Sequence, residues 1–115
     1  MAVDRLKTRI WVQAQIRLCD IANLPAYIVK RGDPDAGAVI LRLNRLDGTS
    51  RLFNQARTAD GEAAWSKASG SDAEGRMSDA DALAYIERQR KYDPDLWVLE
   101  IEDPDRRYEL DAKIV

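Results

Sequence analysis

The turn sequence Asp-Pro-Asp occurs at three places in the chain, and at two of them an apolar run follows. Residues 30–37 hold the first such turn and precede Val39–Leu43; residues 90–95 hold the second and precede Leu96–Ile101. Proline fixes its own φ and disfavours a helical conformation in the aspartate before it, which can bond the backbone two residues on. We therefore expect two stiff turns, here called the first and second elbows, and each of them directly precedes a strand.

The two elbows define a candidate binding face. If the two strands are neighbours in one sheet, they run parallel and carry both elbows to the same edge of the sheet. The face then comprises Arg31, Asp33, Asp35, Lys91, Tyr92, Asp93, Asp95 and Trp97. The favoured interpretation is that each aspartate caps its own turn. The alternatives are carboxylates that converge into a divalent-cation site, and carboxylates interleaved with the basic residues in a neutralised network.

Composition limits both the size and the chemistry of the protein. A chain of 115 residues with 45% hydrophobic and 33% charged residues predicts a single globular domain spanning residues 1–115. One cysteine and no histidine exclude an intramolecular disulfide, a cysteine-based zinc site and histidine-dependent triads. No cofactor is predicted. The sequence has neither an apolar run of membrane length nor a signal peptide, which predicts a cytoplasmic protein without a membrane association.

Charge is distributed unevenly along the chain. Residues 1–58 carry ten Lys/Arg against five Asp/Glu, a net +5, and residues 59–115 carry eight against fifteen, a net −7. We expect surfaces of opposite charge that meet across the fold or across a homodimer interface. The basic residues are dispersed and lack interleaved aromatic residues, which argues against a nucleic-acid partner.

The segment from residue 8 to residue 22 fits two periodicities. As a helix, it places one apolar face inward, comprising Leu6, Ile10, Trp11, Ala14, Leu18 and Ile21, with Cys19 off that face. As a strand, it alternates between apolar and polar residues from Ile10 to Leu18. Its length favours the helix, and so does Asn23 before Leu24-Pro25, which is typical of a helix end.

The middle of the chain predicts a four-strand antiparallel meander. Its strands cover residues 26–30, 38–44, 50–55 and 62–66, and Asp47-Gly48 and Asp60-Gly61 are hairpin signals between them. Arginines are scattered along these strands and loops at Arg42, Arg45, Arg51 and Arg57. A solvated sheet face explains them better than an anion-binding face, because charged residues commonly lie opposite the core of an antiparallel sheet.

The second half predicts a loop, a helix and a central strand. Residues 67–77 are small and polar and predict a surface loop, after which Ser78 caps a helix that ends near Lys91. The run from Leu96 is apolar on both faces and belongs in the middle of a sheet. Residues 103–115 predict an edge strand or a frayed tail. The predicted fold class is α+β, with two helices, about five mostly antiparallel strands, and a core including Trp11, Val39, Leu41, Leu83, Ile86 and Val98.

Several motifs in order resemble a small bacterial family. They are Arg31 to Ala38, the hairpin Asn44 to Gly48, Trp65 after a glycine, and Asp93 to Val98 followed by Glu100 and Glu102. This combination is similar to domain-of-unknown-function family 1491 over about residues 11–102. The resemblance implies no activity and supplies no catalytic residues.

Two classes of function follow from these patterns. We favour a non-enzymatic binding or interaction module whose surface is the elbow face, with a homodimer, an unidentified protein or a small polar ligand as partner. The alternative is a metal-dependent hydrolase resembling nucleases, in which elbow aspartates bind a divalent cation. Pro94-Asp95 followed by Glu100 and Glu102 distantly resembles a nuclease motif, but glutamate replaces its lysine.

Overall fold

The computed structural model describes residues 6–115 as two helices and six strands. Helix α1 spans Thr8–Ile21 and helix α2 spans Asp79–Tyr92. The strands are β1 Ala26–Lys30, β2 Val39–Asn44, β3 Thr49–Arg57, β4 Ala63–Lys67, β5 Arg76–Ser78 and β6 Trp97–Glu102. The predicted α+β class is confirmed, and the segment from residue 8 forms a helix rather than a strand. None of the helices in residues 6–115 is long and apolar enough to cross a membrane.

All six strands form one sheet, in the order β1-β6-β2-β3-β4, with β5 paired to β3. Strands β2 and β6 run parallel and the other pairs are antiparallel. The predicted pairing of the first two strands as part of a meander is therefore wrong, because β6 lies between them. The reason is burial: β6 is apolar on both faces, so it takes a central position, whereas β1 is half exposed and takes the edge.

The two helices cover opposite faces of the sheet. On the α1 face, Val39, Leu41 and Leu43 of β2 join Leu99 and Ile101 of β6 in one core cluster. On the α2 face, Ile40 of β2, Leu52 of β3 and Val98 of β6 pack with the buried residues of α2, which are Ala82, Tyr85 and Ile86. Four of the predicted core residues, Val39, Leu41, Ile86 and Val98, are buried, and Trp11 is half buried.

The predicted inner face of α1 is wrong. The buried residues of the helix are Thr8, Val12, Gln15 and Cys19, so Ile10, Ala14, Leu18 and Ile21 face outward. Polar side chains can be buried here because each has a partner: the Thr8 hydroxyl donates to the Gly37 carbonyl at 2.7 Å, and the Tyr108 hydroxyl donates to Gln15 Oε1 at 2.8 Å.

Leu83 is also misplaced by the sequence pattern. Its side chain is 52% exposed on α2, whereas Ala82, Tyr85 and Ile86 face the sheet. The Tyr85 hydroxyl lies 2.6 Å from Asn54 Nδ2, and this polar contact with β3 fixes the rotation of the helix. The predicted cap is confirmed, since Ser78 Oγ accepts from the Asp81 amide at 3.1 Å.

The C-terminal segment covers one edge of the sheet. The Trp65 amide donates to Lys113 O at 2.9 Å, and the Val115 amide donates to Trp65 O at 2.8 Å, which places the chain end beside β4. The Asp111 carboxylate accepts from the indoles of Trp11 and Trp65, at 2.8 and 2.9 Å. One edge of the sheet is therefore covered, and β1 forms the other.

Two of the four arginines predicted to lie on a solvated face are buried. Arg42 lies 3.0 Å from both Asp79 and Glu100, and Arg45 lies 2.9 Å from Asp103. In each of these pairs the arginine belongs to the basic first half of the chain and the carboxylate to the acidic second half. The opposite charges of the two halves therefore meet inside the fold.

Candidate functional site

The two elbows meet at one edge of the sheet. Parallel pairing of β2 with β6 sets Val39 opposite Trp97, so both elbows precede their strands at the same end. The Asp33 amide donates to Asp95 O at 2.9 Å, and the Trp97 indole donates to Asp33 O at 2.7 Å. The two turns are thus bonded directly to each other through their backbones.

The elbow carboxylates organise their own turns. Asp33 Oδ2 accepts from the amides of Asp35 and Ala36, at 3.2 and 2.8 Å, and Asp93 Oδ1 accepts from the Asp95 amide at 3.0 Å. The Asp35 carboxylate lies 3.8 Å from Lys7 Nζ at the surface. Within residues 6–115, no group of three or more Asp, Glu, Cys or His side chains is arranged to hold a metal ion.

The other residues of the predicted face are spread between core and solvent. Trp97 is only 2% exposed, and the Arg31 guanidinium lies 5.9 Å from the centre of its ring. Lys91 and Tyr92 are exposed at the end of α2. Lys30, which the sequence pattern did not single out, donates from Nζ to Pro94 O at 2.7 Å and to Leu96 O at 3.0 Å.

Two glycines allow the elbows to approach each other. A Cβ atom at Gly32 would lie 2.0 Å from Asp95 O, and one at Gly37 would lie 2.4 Å from the same oxygen. Both contacts are with backbone, which cannot rotate away as a side chain can. The first elbow therefore packs on the second at a distance that only glycine permits.

The first elbow also holds the N-terminus of α1. Lys7 at the N-cap provides no side-chain cap. Instead, the amides of Thr8 and Arg9 donate to Asp35 O at 3.3 Å and Pro34 O at 2.9 Å. These carbonyls satisfy amides that every helix leaves without an internal partner. The elbows are thus a rigid joint that fixes α1 relative to β2 and β6.

Residues 6–111 match the family described as "Protein of unknown function (DUF1491)". The chain belongs to family DUF1491. It is 38% identical to a DUF1491 family protein from Caulobacter crescentus CB15, whose crystal structure aligns with a TM-score of 0.82 over 96% of this chain and 100% of that one. An NMR structure of a DUF1491 family protein from the same organism aligns with a TM-score of 0.81 at 38% identity, covering 98% and 99% of the two chains.

A third related structure is more distant. The solution structure of protein Atu0922 from A. tumefaciens aligns with a TM-score of 0.70 at 29% identity, over 93% of this chain and 90% of that one. No curated protein matches the chain. Membership of DUF1491 thus establishes the fold and leaves the function to be argued from the side chains.

The outward face of α1 in this DUF1491 protein carries exposed apolar side chains. Spacings of three and four residues align Ile10, Ala14, Leu18 and Ile21 in one stripe, here called the α1 stripe. Leu18 is 58% exposed and Ile21 is 73% exposed. An apolar stripe at helical spacing has the shape of a surface that packs against another helix.

Cys19 is not part of this surface. The side chain is buried against the sheet, and burial, followed by the negative charge of Asp103, raises the pKa of its thiol. A thiol with a raised pKa is a poor nucleophile.

Proposed function

We propose that this DUF1491 protein is a non-catalytic interaction module of the cytoplasm, which uses the α1 stripe to bind a second copy of itself. The observation that carries the proposal is that an apolar stripe lies on the face of α1 opposite the core. The side of the helix that packs on the sheet carries Val12 and Cys19 among polar residues, and the apolar stripe on the outer side remains exposed. A helix with an apolar outer face is stabilised when a partner covers that face.

The α1 stripe is suited to an antiparallel pair of α1 helices related by a two-fold axis. If the axis passes beside Ala14, Ile10 packs against Leu18 of the partner subunit, and Leu18 packs against Ile10 of the partner subunit. The small side chain of Ala14 at the centre lets the two helix backbones approach closely. Each contact then occurs twice, as it must in a symmetric dimer.

The charges at the ends of α1 support the same arrangement. Lys7 and Arg9 lie at the N-terminal end and Asp20 lies at the C-terminal end, so none of these charges complements the dipole of its own helix. In an antiparallel pair, the N-terminal end of each helix lies beside the C-terminal end of the other, so the opposed helix dipoles are aligned favourably.

Two other surfaces are weaker candidates. The exposed edge strand β1 has only five residues and a break in register between Ile28 and Lys30, and short or bulged edges resist pairing with another chain. On the elbow face, Trp97 is buried and the Asp33 and Asp93 carboxylates bond their own turns. We therefore assign the elbow face to supporting α1 rather than to contacting the partner.

Sedimentation equilibrium of matched lysine variants tests the proposal. We expect the wild type to dimerise in the micromolar range. Leu18→Lys removes two apolar contacts per dimer and places two charges in the interface, so the dissociation constant should rise about 100-fold or more, which corresponds to ~2.7 kcal/mol. Tyr27→Lys makes a similar change at an exposed residue of the β1 edge and should leave dimerisation unchanged.

The stability of the two variants provides the control. Both side chains are about half exposed, so each substitution should change the free energy of unfolding of the subunit by less than about 0.5 kcal/mol. A wild type that sediments as the 13.0 kDa species up to about 1 mM would overturn the proposal. So would a dimer that Tyr27→Lys abolishes and Leu18→Lys preserves.

A further inference from the structure

Four arginines from separate parts of the chain line one small cavity. Its volume is about 180 Å³, and its walls include Arg45, Arg51, Arg76 and Arg106, together with Thr49 and Tyr108. The sequence pattern placed Arg45 and Arg51 among dispersed charges on a solvated sheet face. In the structure they converge, because the β2–β3 hairpin, β5 and the turn after β6 meet at this point. We call this cavity the arginine pocket.

Asp103 positions one side of the arginine pocket. This carboxylate is fully buried and accepts from Arg45 Nη1 at 2.9 Å, which fixes the Arg45 guanidinium in the wall. It also accepts from the amides of Arg107 at 2.7 Å and Tyr108 at 2.9 Å. The resulting turn holds Arg106 at a φ of 59°, a left-handed conformation that is unfavourable for a residue with a side chain.

Arg51 is fixed in the opposite wall. Its Nε donates to Glu74 O at 2.6 Å, and its guanidinium lies 4.8 Å from the centre of the Phe53 ring. Burial, followed by the positive charge of Arg45, lowers the pKa of Arg51 from its ordinary value. An arginine nevertheless stays charged at neutral pH. Its terminal nitrogens therefore add positive charge to a site where other guanidinium groups are already close.

Four nearby carboxylates, those of Asp47, Asp72, Glu74 and Asp103, match the four arginines in formal charge, but none of them forms an ion pair with Arg51 or Arg106. Asp47 and Glu74 also line the pocket. Asp47 is engaged with Thr49, whose amide and hydroxyl lie 2.9 and 2.6 Å away, and Arg76 is paired with Asp72 at 3.4 Å. Among the described residues, no carboxylate oxygen lies within 4.0 Å of the Arg51 or Arg106 guanidinium nitrogens.

We propose that the arginine pocket binds the phosphate group of a small phosphate monoester. Guanidinium groups match phosphate oxygens through paired N–H donors, and Arg51, Arg76 and Arg106 place such groups in the wall of the pocket. The volume equals that of about six water molecules in the liquid, which is room for a phosphate group and a few attached atoms. The site is complete within one chain, so it does not depend on the dimer.

Another concavity, outside the arginine pocket, is a poorer candidate. It measures about 240 Å³ and lies on the other side of the Asp103 turn, beside Pro25 and Leu46. Its one arginine, Arg107, already donates to the Ala22 carbonyl. Glu102 and Asp105 in its wall would repel an anion. The walls of the arginine pocket thus hold more positive charge than the walls of this concavity.

Titration with phenyl phosphate, followed by NMR of the backbone amides in the full chain, tests this site. Ionic strength is held constant with sodium chloride, so that general screening does not change during the titration. We expect saturable shifts at residues 45–51 and 104–108. Inorganic phosphate should shift the same amides, and acetate, which presents only two oxygens, should bind at least about tenfold more weakly.

Arg106→Gly is the most informative variant. Glycine accepts the left-handed conformation at position 106, so the variant should keep or increase the stability of the fold while weakening phosphate binding about tenfold or more. Arg51→Gln should weaken binding to a similar extent. Arg57→Gln removes an exposed arginine outside the pocket and should bind as the wild type does. Leu18→Lys should also bind normally, even if it does not dimerise.

Three results would overturn the phosphate site. The first is no saturable shift with either phosphate ligand. The second is unchanged binding in both Arg51→Gln and Arg106→Gly, which would place the ligand elsewhere. The third is acetate binding as tightly as phenyl phosphate, which would mean that the pocket holds anions without selecting phosphate.

Discussion

Gly32→Ala is expected to lower the free energy of unfolding by more than about 4 kcal/mol, a loss in the range of the most damaging single substitutions. The new Cβ would lie 2.0 Å from Asp95 O and 2.6 Å from the carbonyl carbon of Leu96. Both atoms are backbone atoms, one in the second elbow and one in the residue that directly precedes β6. The methyl group can therefore be accommodated only if the two elbows separate and the bond from the Asp33 amide to Asp95 O is lost.

Gly48→Ala is the control for the elbow prediction. Gly48 has a φ of 89° in the β2–β3 hairpin, and an added Cβ would meet no atom within 4 Å. The substitution introduces backbone strain without a clash, and it should cost about 1–2 kcal/mol. Equilibrium denaturation of the three proteins makes the comparison. A loss at Gly32 no larger than the loss at Gly48 would mean that the elbows are not packed as described.

Asp103→Ala is expected to destabilise the fold by about 3–5 kcal/mol, because it leaves the buried Arg45 charge without its carboxylate. The same change removes the acceptor for the Arg107 and Tyr108 amides, so the turn that shapes the arginine pocket should loosen. Urea denaturation measures the loss. Asp105→Ala, at an exposed position two residues later, should cost less than about 0.5 kcal/mol.

A second substitution separates the cost of the unpaired Arg45 charge from the cost of the hydrogen bonds lost in the turn. Adding Arg45→Leu to the Asp103→Ala protein removes the unpaired buried charge and should recover part of the lost stability. The double variant should remain less stable than the wild type, because two amides still lack their acceptor. If Arg45→Leu instead destabilises the Asp103→Ala protein further, the ion pair is not the reason for the loss.

The elements that the sequence predicted correctly depend on local chemistry. Ser78 caps α2 through its own side chain, and Asn23 takes the left-handed conformation after α1 that its position before Leu24-Pro25 indicates. The elbows likewise form from interactions within a few residues. An apolar run on both faces was enough to place β6 in the middle of the sheet.

The errors arise where distant partners decide which side of an element is buried. Which face of α1 is buried depends on Gln15 and Thr8. Their hydrogen-bond partners lie 93 and 29 residues away in the sequence, and neither polar residue is expected in a core. The α1 stripe was consequently taken for the inner face of the helix. The rotation of α2, and with it the exposure of Leu83, follows the contact between Tyr85 and Asn54, which are 31 residues apart.

The features of the candidate site also fall into two groups, those that local sequence predicts and those that depend on distant partners. The meeting of the elbows could be predicted, because two turns that precede parallel neighbouring strands must lie at one edge. The role of Lys30 could not be predicted, since two of its three carbonyl partners are distant in sequence: Pro94 O in the second elbow and Leu96 O directly after it. The arginine pocket could not be predicted either. It depends on the buried carboxylate of Asp103, which turns Arg45 and Arg106 toward Arg51.

Disulfide cross-linking at Ala14 tests the proposed role of the α1 stripe most directly. The proposed two-fold axis passes beside this residue, so cysteines introduced there on the two subunits would lie within bonding distance, which requires Cβ atoms about 3.5–4.5 Å apart. Cys19 is buried and can stay. We predict that Ala14→Cys forms a covalent dimer under mild oxidation, whereas Tyr27→Cys, on the β1 edge, stays monomeric on a non-reducing gel. Rapid cross-linking of Tyr27→Cys with none at Ala14→Cys would contradict the α1 interface.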